Sequence, residues 1–401
     1  MEHYLNSIRR ARDYGDFATE LDKRPLQKDR DKIRGSLIGG AAGDALGYAV
    51  EFWPESKLFS YYGKDGITQY RLVNGVAQIS DDTQMTLFTA NGLIFAMTRG
   101  HMRGILGPYA GYIAQAYLEW YETQKRKPSD DEGYDRFCWL VNVPELYAAR
   151  APGNTCLSAI EKGCRGSIEE PINDSKGCGG VMRVAPIGLY FIGNTGMESL
   201  AIDLLGADVA ALTHGHEMGY IPAAMLVHIV RLVSGRDGIT LKQAILDGKT
   251  AVKMLFLGAE HLTGFLKLID TAIALSESDT EDLTAIHTLG PGWCGDEALA
   301  VAIYCALKYQ DDFDRAIRVA VNHGGDSDST GAITGNILGA YLGLSQIPQK
   351  YIDNLELADV IMEIADDLYE DCQIDEYSDF NVQKNKDWLN KYVKASYKGR
   401  K

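Results

Sequence analysis

The sequence lacks the residue patterns of several large functional classes. It has no Cys-x-x-Cys pair, which argues against a zinc ribbon or a thioredoxin-type site, and its seven scattered cysteines are expected to be reduced packing residues. It also lacks an excess of basic residues, because 40 lysines and arginines face 55 aspartates and glutamates, for a net charge of −15. An acidic surface repels phosphate backbones, so we expect no general binding to nucleic acid.

Long apolar runs are missing as well. The most apolar stretch, residues 219–233, is interrupted by His228 and Arg231, and no run reaches the roughly 20 apolar residues that a membrane-spanning helix needs. The first residues, MEHYLNSIRRARDYGDF, lack the apolar core of a secretory signal peptide. We therefore expect a cytoplasmic protein without a membrane partner.

Proline and alternating strand patterns are scarce, whereas glycine is abundant. The 11 prolines suit a helical protein, and the 42 glycines indicate close helix–helix contacts or loops whose backbone binds a ligand. Apolar residues recur at helical spacing over residues 33–371 without a fixed-period repeat or a linker, which predicts one mostly α-helical domain. Residues 1–32 are expected to form a charged N-terminal arm, and residues 372–401 a basic tail with a peripheral helix.

The strongest signal for chemistry is HGGDSDSTGAITGNILGA, residues 323–340. Asp326 and Asp328 flank a serine, and Ser329 follows them at the start of a Gly/Ala-rich helix. One such side chain is enough to cap a helix, but two carboxylates aimed at one point are costly unless a cation lies between them. An EF-hand loop does not fit, because its twelfth position is Ile337 instead of glutamate.

A second segment of the same kind, ISDDTQMTLFTA, begins another predicted helix with Ser80, Asp81 and Asp82. Alone, this segment is equally well explained as an N-terminal cap. Together the two segments supply four carboxylates and several hydroxyl groups, and hard oxygen ligands favour Mg²⁺, Mn²⁺ or Ca²⁺ over zinc or copper. Four carboxylates are enough for two divalent ions that share a bridging group.

A glycine-rich loop is formed by Gly177, Cys178, Gly179 and Gly180. Such a loop can present backbone N–H groups to an anion such as a pyrophosphate, or it can be a plain turn before a buried segment. It matches neither of the common nucleotide-binding glycine patterns, and no partner marks the cysteine as a nucleophile.

Three further residues are weaker candidates for a binding site. Glu51 follows a small-residue helix and can face a cleft, whereas Asp44 within that helix is expected to be a structural carboxylate. His214 lies in a loop where a phosphate can be bound. Trp293 lies between glycines, where its ring either stacks on a base or fills the core.

Six segments occur in order between residues 41 and 340: GDALGYAVEF, ISDDTQMTL, SKGCGGVMRVAPIGL, THGHEMGYIPAA, LGPGWCGDEALAVAIY and HGGDSDSTGAITGNILGA. This series resembles the ADP-ribosylglycohydrolase family over roughly residues 33–371. The resemblance implies an all-α fold, a single orthogonal helical bundle with a cleft that holds two Mg²⁺ or Mn²⁺ ions. It also implies that the metal ligands are Ser80, Asp81, Asp82, Asp326, Asp328 and Ser329.

The resemblance further implies an enzyme that cleaves the N-glycosidic bond between ADP-ribose and an arginine side chain of a protein. The implied catalytic residues are Asp81, Asp82, Asp328 and Glu51, and the implied substrate-binding residues are Gly177, Cys178, Gly179, Gly180, His214 and Trp293. Serine in place of threonine at two ligand positions is nearer to the arginine-directed branch. The alternatives are an inhibitor or binding protein on a hydrolase scaffold, and a hydrolase of another ADP-ribosyl linkage or of a small molecule.

Members of this family can act as immunity factors against ADP-ribosylating toxins. The arm of residues 1–32 is then expected either to be a disordered or surface-packed terminus or to bind a cognate transferase. The residues that favour binding are Tyr4, Leu5, Ile8, Arg9, Arg10, Arg12, Tyr14 and Phe17, which offer an apolar stripe, positive charge and aromatic anchors.

Overall fold

The computed structural model describes residues 5, 6, 8, 19, 21, 25–127, 136–193 and 197–397. These residues form sixteen α-helices and one short β-hairpin. The helices are α1 (Arg30–Tyr48), α2 (Glu55–Tyr62), α3 (Asp81–Arg103), α4 (Tyr109–Lys125), α5 (Asn154–Glu161), α6 (Ala185–Tyr190), α7 (Ser199–Ala211), α8 (Glu217–Gly235), α9 (Leu241–Leu255), α10 (Leu262–Ser276), α11 (Asp282–Leu289), α12 (Gly295–Lys308), α13 (Phe313–Val321), α14 (Ser327–Leu342), α15 (Ala358–Glu370) and α16 (Gln383–Tyr392).

The predicted all-α class is confirmed, and β structure within the described residues is limited to one two-stranded sheet and isolated bridges. Strands β1 (Leu72–Val73) and β2 (Val76–Ala77) pair antiparallel through the two-residue turn Asn74-Gly75. Both turn residues have positive φ angles, 52° and 87°, as a tight hairpin turn requires.

The centre of the fold is the antiparallel pair of helices α1 and α14, whose backbones touch along a stripe of glycines. Gly39 faces Gly335 and Gly43 faces Gly331, so that a Cβ atom on any of them would come closer than 3.0 Å to a backbone carbonyl oxygen of the other helix. Part of the abundant glycine therefore lies in a close helix–helix contact, which is one of the two explanations that the composition offers.

Helix α8 crosses the core. Among the described helices it alone is long and apolar enough to cross a membrane by length and composition, and its apolar window is completely buried inside the protein. Burial on all sides explains why this helix is apolar around its whole circumference.

The two terminal segments pack on the helical domain where the structure describes them. In the arm, Ile8 is fully buried in the main core and Thr19 is buried with its hydroxyl donating to Asp247. Tyr4, Arg9, Arg10, Arg12, Tyr14 and Phe17 lie outside the described residues, so the predicted contact with a transferase stays a prediction. In the tail, the Lys391 ammonium of α16 donates to the Glu363 carboxylate at 2.7 Å.

Candidate functional site

The start of helix α3 is held in place by a carboxylate from helix α1. Asp44 is fully buried, and its oxygens accept the backbone N–H of Ser80 at 2.9 and 3.0 Å and that of Thr83 at 3.1 Å. These donors satisfy N–H groups that the first turn of a helix leaves unpaired. Asp44 is thus the structural carboxylate that the sequence predicts, and it fixes the position of Asp81 and Asp82.

The start of helix α14 meets the end of α1 at the same place. A Cβ atom on Gly47 would come closer than 3.0 Å to the carbonyl oxygen of Ser327 and to the backbone nitrogen of Asp328. Asp326 caps α14, and its backbone N–H donates to the carbonyl oxygen of Pro291 at 2.8 Å. Backbone contact with α1 therefore brings the second aspartate pair beside the first.

Both aspartate pairs line one cavity of about 350 Å³. The predicted site residues in its wall are Glu51, Asp81, Asp82, Gly177, Cys178, Gly179, His214, Trp293, Asp326, Asp328 and Ser329. Ser80 and Gly180 are fully buried outside the wall, and the Ser80 hydroxyl accepts the backbone N–H of Asp82 at 3.2 Å as the cap of α3. The role of Ser80 as a metal ligand stays a prediction.

The carboxylates crowd one another in a buried environment. Burial first, and then repulsion from Asp328, raise the pKa of Asp81, Asp82 and Asp326 well above the usual range. Burial and the same neighbouring carboxylates raise the pKa of Glu51 to about 10. A cation in the cavity would relieve this repulsion and favour the charged form of each group.

The oxygen atoms of this site fit a hard divalent cation. Asp82 Oδ2 and Glu51 Oε2 are buried and have no hydrogen-bond partner among the described residues, which is costly for a carboxylate in the absence of a ligand. The described side chains do not place three or more His, Cys, Asp or Glu groups around a single ion position, and Asp326 instead accepts the Cys178 thiol at 2.8 Å. Carboxylate and hydroxyl oxygens are the donors that Mg²⁺ and Mn²⁺ prefer, while the identity and the number of the ions stay predictions.

The glycine-rich loop forms a short 3₁₀ turn, Cys178–Gly180, along one wall. Its backbone is anchored by the Cys178 N–H, which donates to the carbonyl oxygen of Trp293 at 3.1 Å. A Cβ atom on Gly179 would lie 3.0 Å from the His214 ring. A side chain at this position would press on the imidazole, which packs directly on the loop.

A buried chain of hydrogen bonds sets the proton position on His214. The guanidinium of Arg183, which is fully buried, donates to the Thr213 hydroxyl at 2.6 Å, and that hydroxyl lies 2.8 Å from His214 Nδ1. Burial and the nearby guanidinium lower the pKa of His214 to about 3, so the ring is neutral at physiological pH. The hydroxyl accepts from the guanidinium, and its own hydrogen can reach Nδ1 at 2.8 Å or the Ala210 carbonyl oxygen at 3.5 Å. The shorter contact favours donation to Nδ1, with the ring proton on Nε2, the nitrogen that faces the glycine loop.

An aromatic pair lies at the mouth of the cavity. Trp293 stacks on Phe52 with ring centroids 5.5 Å apart and planes at 18°. Trp293 is 39% exposed and Phe52 is 66% exposed, so neither ring fills the core. Phe52 was not predicted from the sequence, because an apolar residue outside any binding motif gives no sign of a site. Its backbone has a left-handed φ of 62°.

Sequence reasoning also missed the loop before α5. The backbone N–H of Gly153 donates to Asp81 Oδ2 at 3.3 Å, and Asn154 and Thr155 line the same cavity. The only signal is the turn sequence Pro-Gly-Asn, which predicts a helix start without showing what it faces.

Comparisons with known proteins agree with this arrangement. A model of the ADP-ribosylglycohydrolase family matches residues 25–377. The chain is 24% identical over 351 residues to ADP-ribosylarginine hydrolase Tri1 of Serratia proteamaculans (strain 568), covering 86% of this chain and 81% of that protein. It is 25% identical over 333 residues to the ADP-ribosyl-[dinitrogen reductase] glycohydrolase of Rhodospirillum rubrum, covering 82% and 91%.

Two further comparisons are a sequence match over part of the chain and a structural superposition. Human ADP-ribosylhydrolase ARH3 is 26% identical over 202 residues, which cover 45% of this chain and only about half, 54%, of that protein. A solved structure described as an ADP-ribosylglycohydrolase-related protein complex superposes with a TM-score of 0.56 at 25% identity, covering 85% of this chain and 98% of that one.

Proposed function

The chain belongs to the ADP-ribosylglycohydrolase family, and from this premise we propose that it removes ADP-ribose from modified arginine side chains of a protein. The observation that carries the proposal is the single cavity that collects both aspartate pairs and Glu51 beside a glycine-rich loop. The name of the Serratia relative, an ADP-ribosylarginine hydrolase, supports arginine as the linkage.

The carboxylates of Asp81, Asp82, Asp326 and Asp328, with the Ser329 hydroxyl, would hold two Mg²⁺ or Mn²⁺ ions. When bound, such ions supply positive charge that orients the ribose hydroxyls and the attacking water. Asp82 Oδ2 is buried and has no hydrogen-bond partner among the described residues, so it is available as a ligand.

The remaining walls suit the rest of ADP-ribose. The glycine-rich loop and His214 share one wall. The His214 Nε2–H and the loop N–H groups beyond those of Gly177 and Cys178, which are bonded within the protein, would donate to the oxygens of a pyrophosphate. The exposed Phe52–Trp293 pair offers flat apolar surface at the mouth of the cavity. Together these groups would position the distal ribose against the carboxylates.

The reaction replaces the bond between ribose C1″ and the guanidine nitrogen with a bond from C1″ to the oxygen of water. Positive charge develops on the ribose as this bond breaks, and the surrounding carboxylates stabilise that charge. An aspartate of the site accepts one water proton, which finally reaches the departing guanidine. Glu51 Oε2, unpartnered among the described residues, can hydrogen-bond the guanidine as it leaves.

Release of ADP-ribose from an arginine-modified protein tests the proposal. We expect release that requires Mg²⁺ or Mn²⁺ and stops with a chelator, and we expect Asp82→Asn and Asp328→Asn to lower kcat by about 100-fold or more. The matched control is Asp311→Asn, which removes an exposed carboxylate that does not line the cavity.

Wild-type rates in either active-site variant, or activity that survives chelation, would show that the carboxylates have another role. A serine-linked substrate, measured in parallel, decides the linkage. Tight binding of ADP-ribosylated protein without release would favour the alternative of a binding protein or stoichiometric inhibitor.

A further inference from the structure

A second cavity of about 400 Å³ lies directly beside the first. Three residues, Glu51, Phe52 and Ala151, line both cavities and form the partition between them. Any molecule that extends past this partition passes the Glu51 carboxylate.

Two residues of the partition have a backbone conformation that few non-glycine residues adopt. Phe52 has a φ of 62° and Ala151 a φ of 52°, both in the left-handed region that is unfavourable for residues with a side chain. Strain of this kind persists where the surrounding structure imposes it and is concentrated at functional sites. Here it sets the boundary that carries Glu51.

The second cavity differs from the first in its chemistry. Apart from Glu51 in the partition it has no carboxylate in its wall, and its polar groups come from Tyr48, Arg71 and Gln78. Arg71 is exposed, and no carboxylate among the described residues forms an ion pair with it. Hydrogen-bonding groups and an exposed cation beside apolar surface are suited to a peptide chain.

Apolar side chains are exposed next to this cavity. The hairpin presents Leu72 and Val73, which are 47% and 40% exposed, and Val73 lies in the cavity wall. Together with the exposed Phe52 ring they form an apolar rim around the opening. Grouped exposed apolar residues of this kind mark surfaces that meet another protein.

We propose that the second cavity binds the polypeptide of the modified protein on either side of the ADP-ribosylated residue, with an acidic side chain or a main-chain carbonyl against Arg71. This inference rests on the proposed function. The bond to be cleaved joins the ribose to the protein side chain. If the ribose lies among the aspartates, the side chain and the polypeptide that carries it extend across the partition. The second cavity adjoins the first at that boundary, where both are lined by Glu51, Phe52 and Ala151.

Two substrates test this assignment. Both contain ADP-ribose linked to arginine, but in one the arginine belongs to a protein and in the other it is free. The variants Arg71→Glu and Val73→Asp should raise KM for an arginine-modified protein by about tenfold, since they reverse or add charge at the surface that receives it. For free ADP-ribosylarginine, kcat and KM should stay within roughly twofold of wild type, as should the Kd for ADP-ribose. Arg71→Lys should recover most of the affinity for the modified protein.

The matched controls are Arg103→Glu and Ile105→Asp. Arg103 ends the helix that begins at Asp81, about 33 Å away at 1.5 Å per residue, and Ile105 is 78% exposed just beyond it. These two variants should leave both substrates unaffected.

If Arg71→Glu and Val73→Asp raised KM equally for both substrates and weakened the binding of ADP-ribose, the second cavity would bind the nucleotide, and the inference would be overturned. Unchanged kinetics of Arg71→Glu and Val73→Asp on the modified protein would overturn it as well. If the wild-type protein binds ADP-ribose but cleaves neither substrate, the proposed function fails first, and the assignment fails with it.

Discussion

At the scale of single residues, the chemical state of His214 depends on neighbours that do not line the cavity. Arg183 and Thr213 are fully buried and reach His214 through two consecutive hydrogen bonds of 2.6 and 2.8 Å. A guanidinium can only donate, so the Thr213 hydroxyl accepts from Arg183, and its own hydrogen is favoured to bond Nδ1 at 2.8 Å over the Ala210 carbonyl oxygen at 3.5 Å. Thr213 is therefore a positioning residue that keeps the Nε2 proton available for a ligand.

The substitution Thr213→Val tests this role. It should raise KM for the ADP-ribosylated substrate by about tenfold, because the ring is no longer held in the tautomer that donates from Nε2. The ¹⁵N chemical shifts of His214 should change from the Nε2-protonated pattern to a mixture. Thr213→Ser, which keeps the hydroxyl, should restore both the tautomer and the KM.

A purely structural role for Thr213 would lower the melting temperature in Thr213→Val but leave the ¹⁵N pattern and KM unchanged. Since the pKa of His214 is lowered to about 3, the pH profile of wild-type activity should show no ionisation of this histidine between pH 5 and pH 8.

At the scale of secondary-structure elements, the contact between α1 and α14 positions the site. The glycine stripe lets the two backbones touch, which places Asp328 at the start of α14 beside the end of α1. Helix α1 in turn holds the start of α3 through Asp44. The two aspartate pairs are thus both positioned by one helix that contributes no aspartate to the cavity wall.

The substitution Gly335→Ala should destabilise the protein by about 1–3 kcal/mol, because its Cβ atom would overlap the carbonyl oxygen of Gly39 and push the helices apart. Denaturant unfolding measures the free energy. The matched control is Gly264→Ala in α10, where nothing lies within 4 Å of the new atom.

That control should stabilise the protein by about 0.5–1 kcal/mol, as expected for alanine in place of glycine within a helix. If Gly335→Ala were as stable as Gly264→Ala, the close backbone contact would not be what holds the two helices together.

At the scale of the whole molecule, the site joins segments that are far apart in the sequence. The aspartates at 81–82 and 326–328 lie at opposite ends of the domain's sequence but share one buried cavity in a chain of net charge −15. Burial first, and then their mutual repulsion, raise the pKa of these carboxyls and weaken the folded state when no cation is bound.

Mg²⁺ or Mn²⁺ should therefore stabilise the fold. At a concentration 100 times its Kd, a bound ion should add about 2.7 kcal/mol to the free energy of unfolding, observed as a higher melting temperature. Asp82→Asn should lose most of this increase, whereas the exposed control Asp311→Asn should keep it. A melting temperature that responds to Zn²⁺ alone would contradict an oxygen-ligand site.

The sequence alone determined the helical class and the segments that carry the site. Apolar spacing predicts most of the helices because it reflects which face of each one is buried, and this reasoning holds for each helix separately. The Ser/Asp clusters before α3 and α14 were recognisable because a helix start needs few such groups and these segments have several. The excess of glycine predicted either close helix packing or ligand-binding loops, and the contact between α1 and α14 confirms the first of these.

Only the tertiary structure decided how these segments meet. Local spacing cannot show that Asp44 binds the start of α3, that Ser80 and Gly180 are absent from the cavity wall, or that Phe52 stacks on Trp293. Nor can it show the hydrogen bonds from a buried arginine that set the proton on His214, or the second cavity behind Glu51. The physical reason is that each of these features depends on contacts between residues far apart in the chain, which helix packing creates and the local pattern does not record.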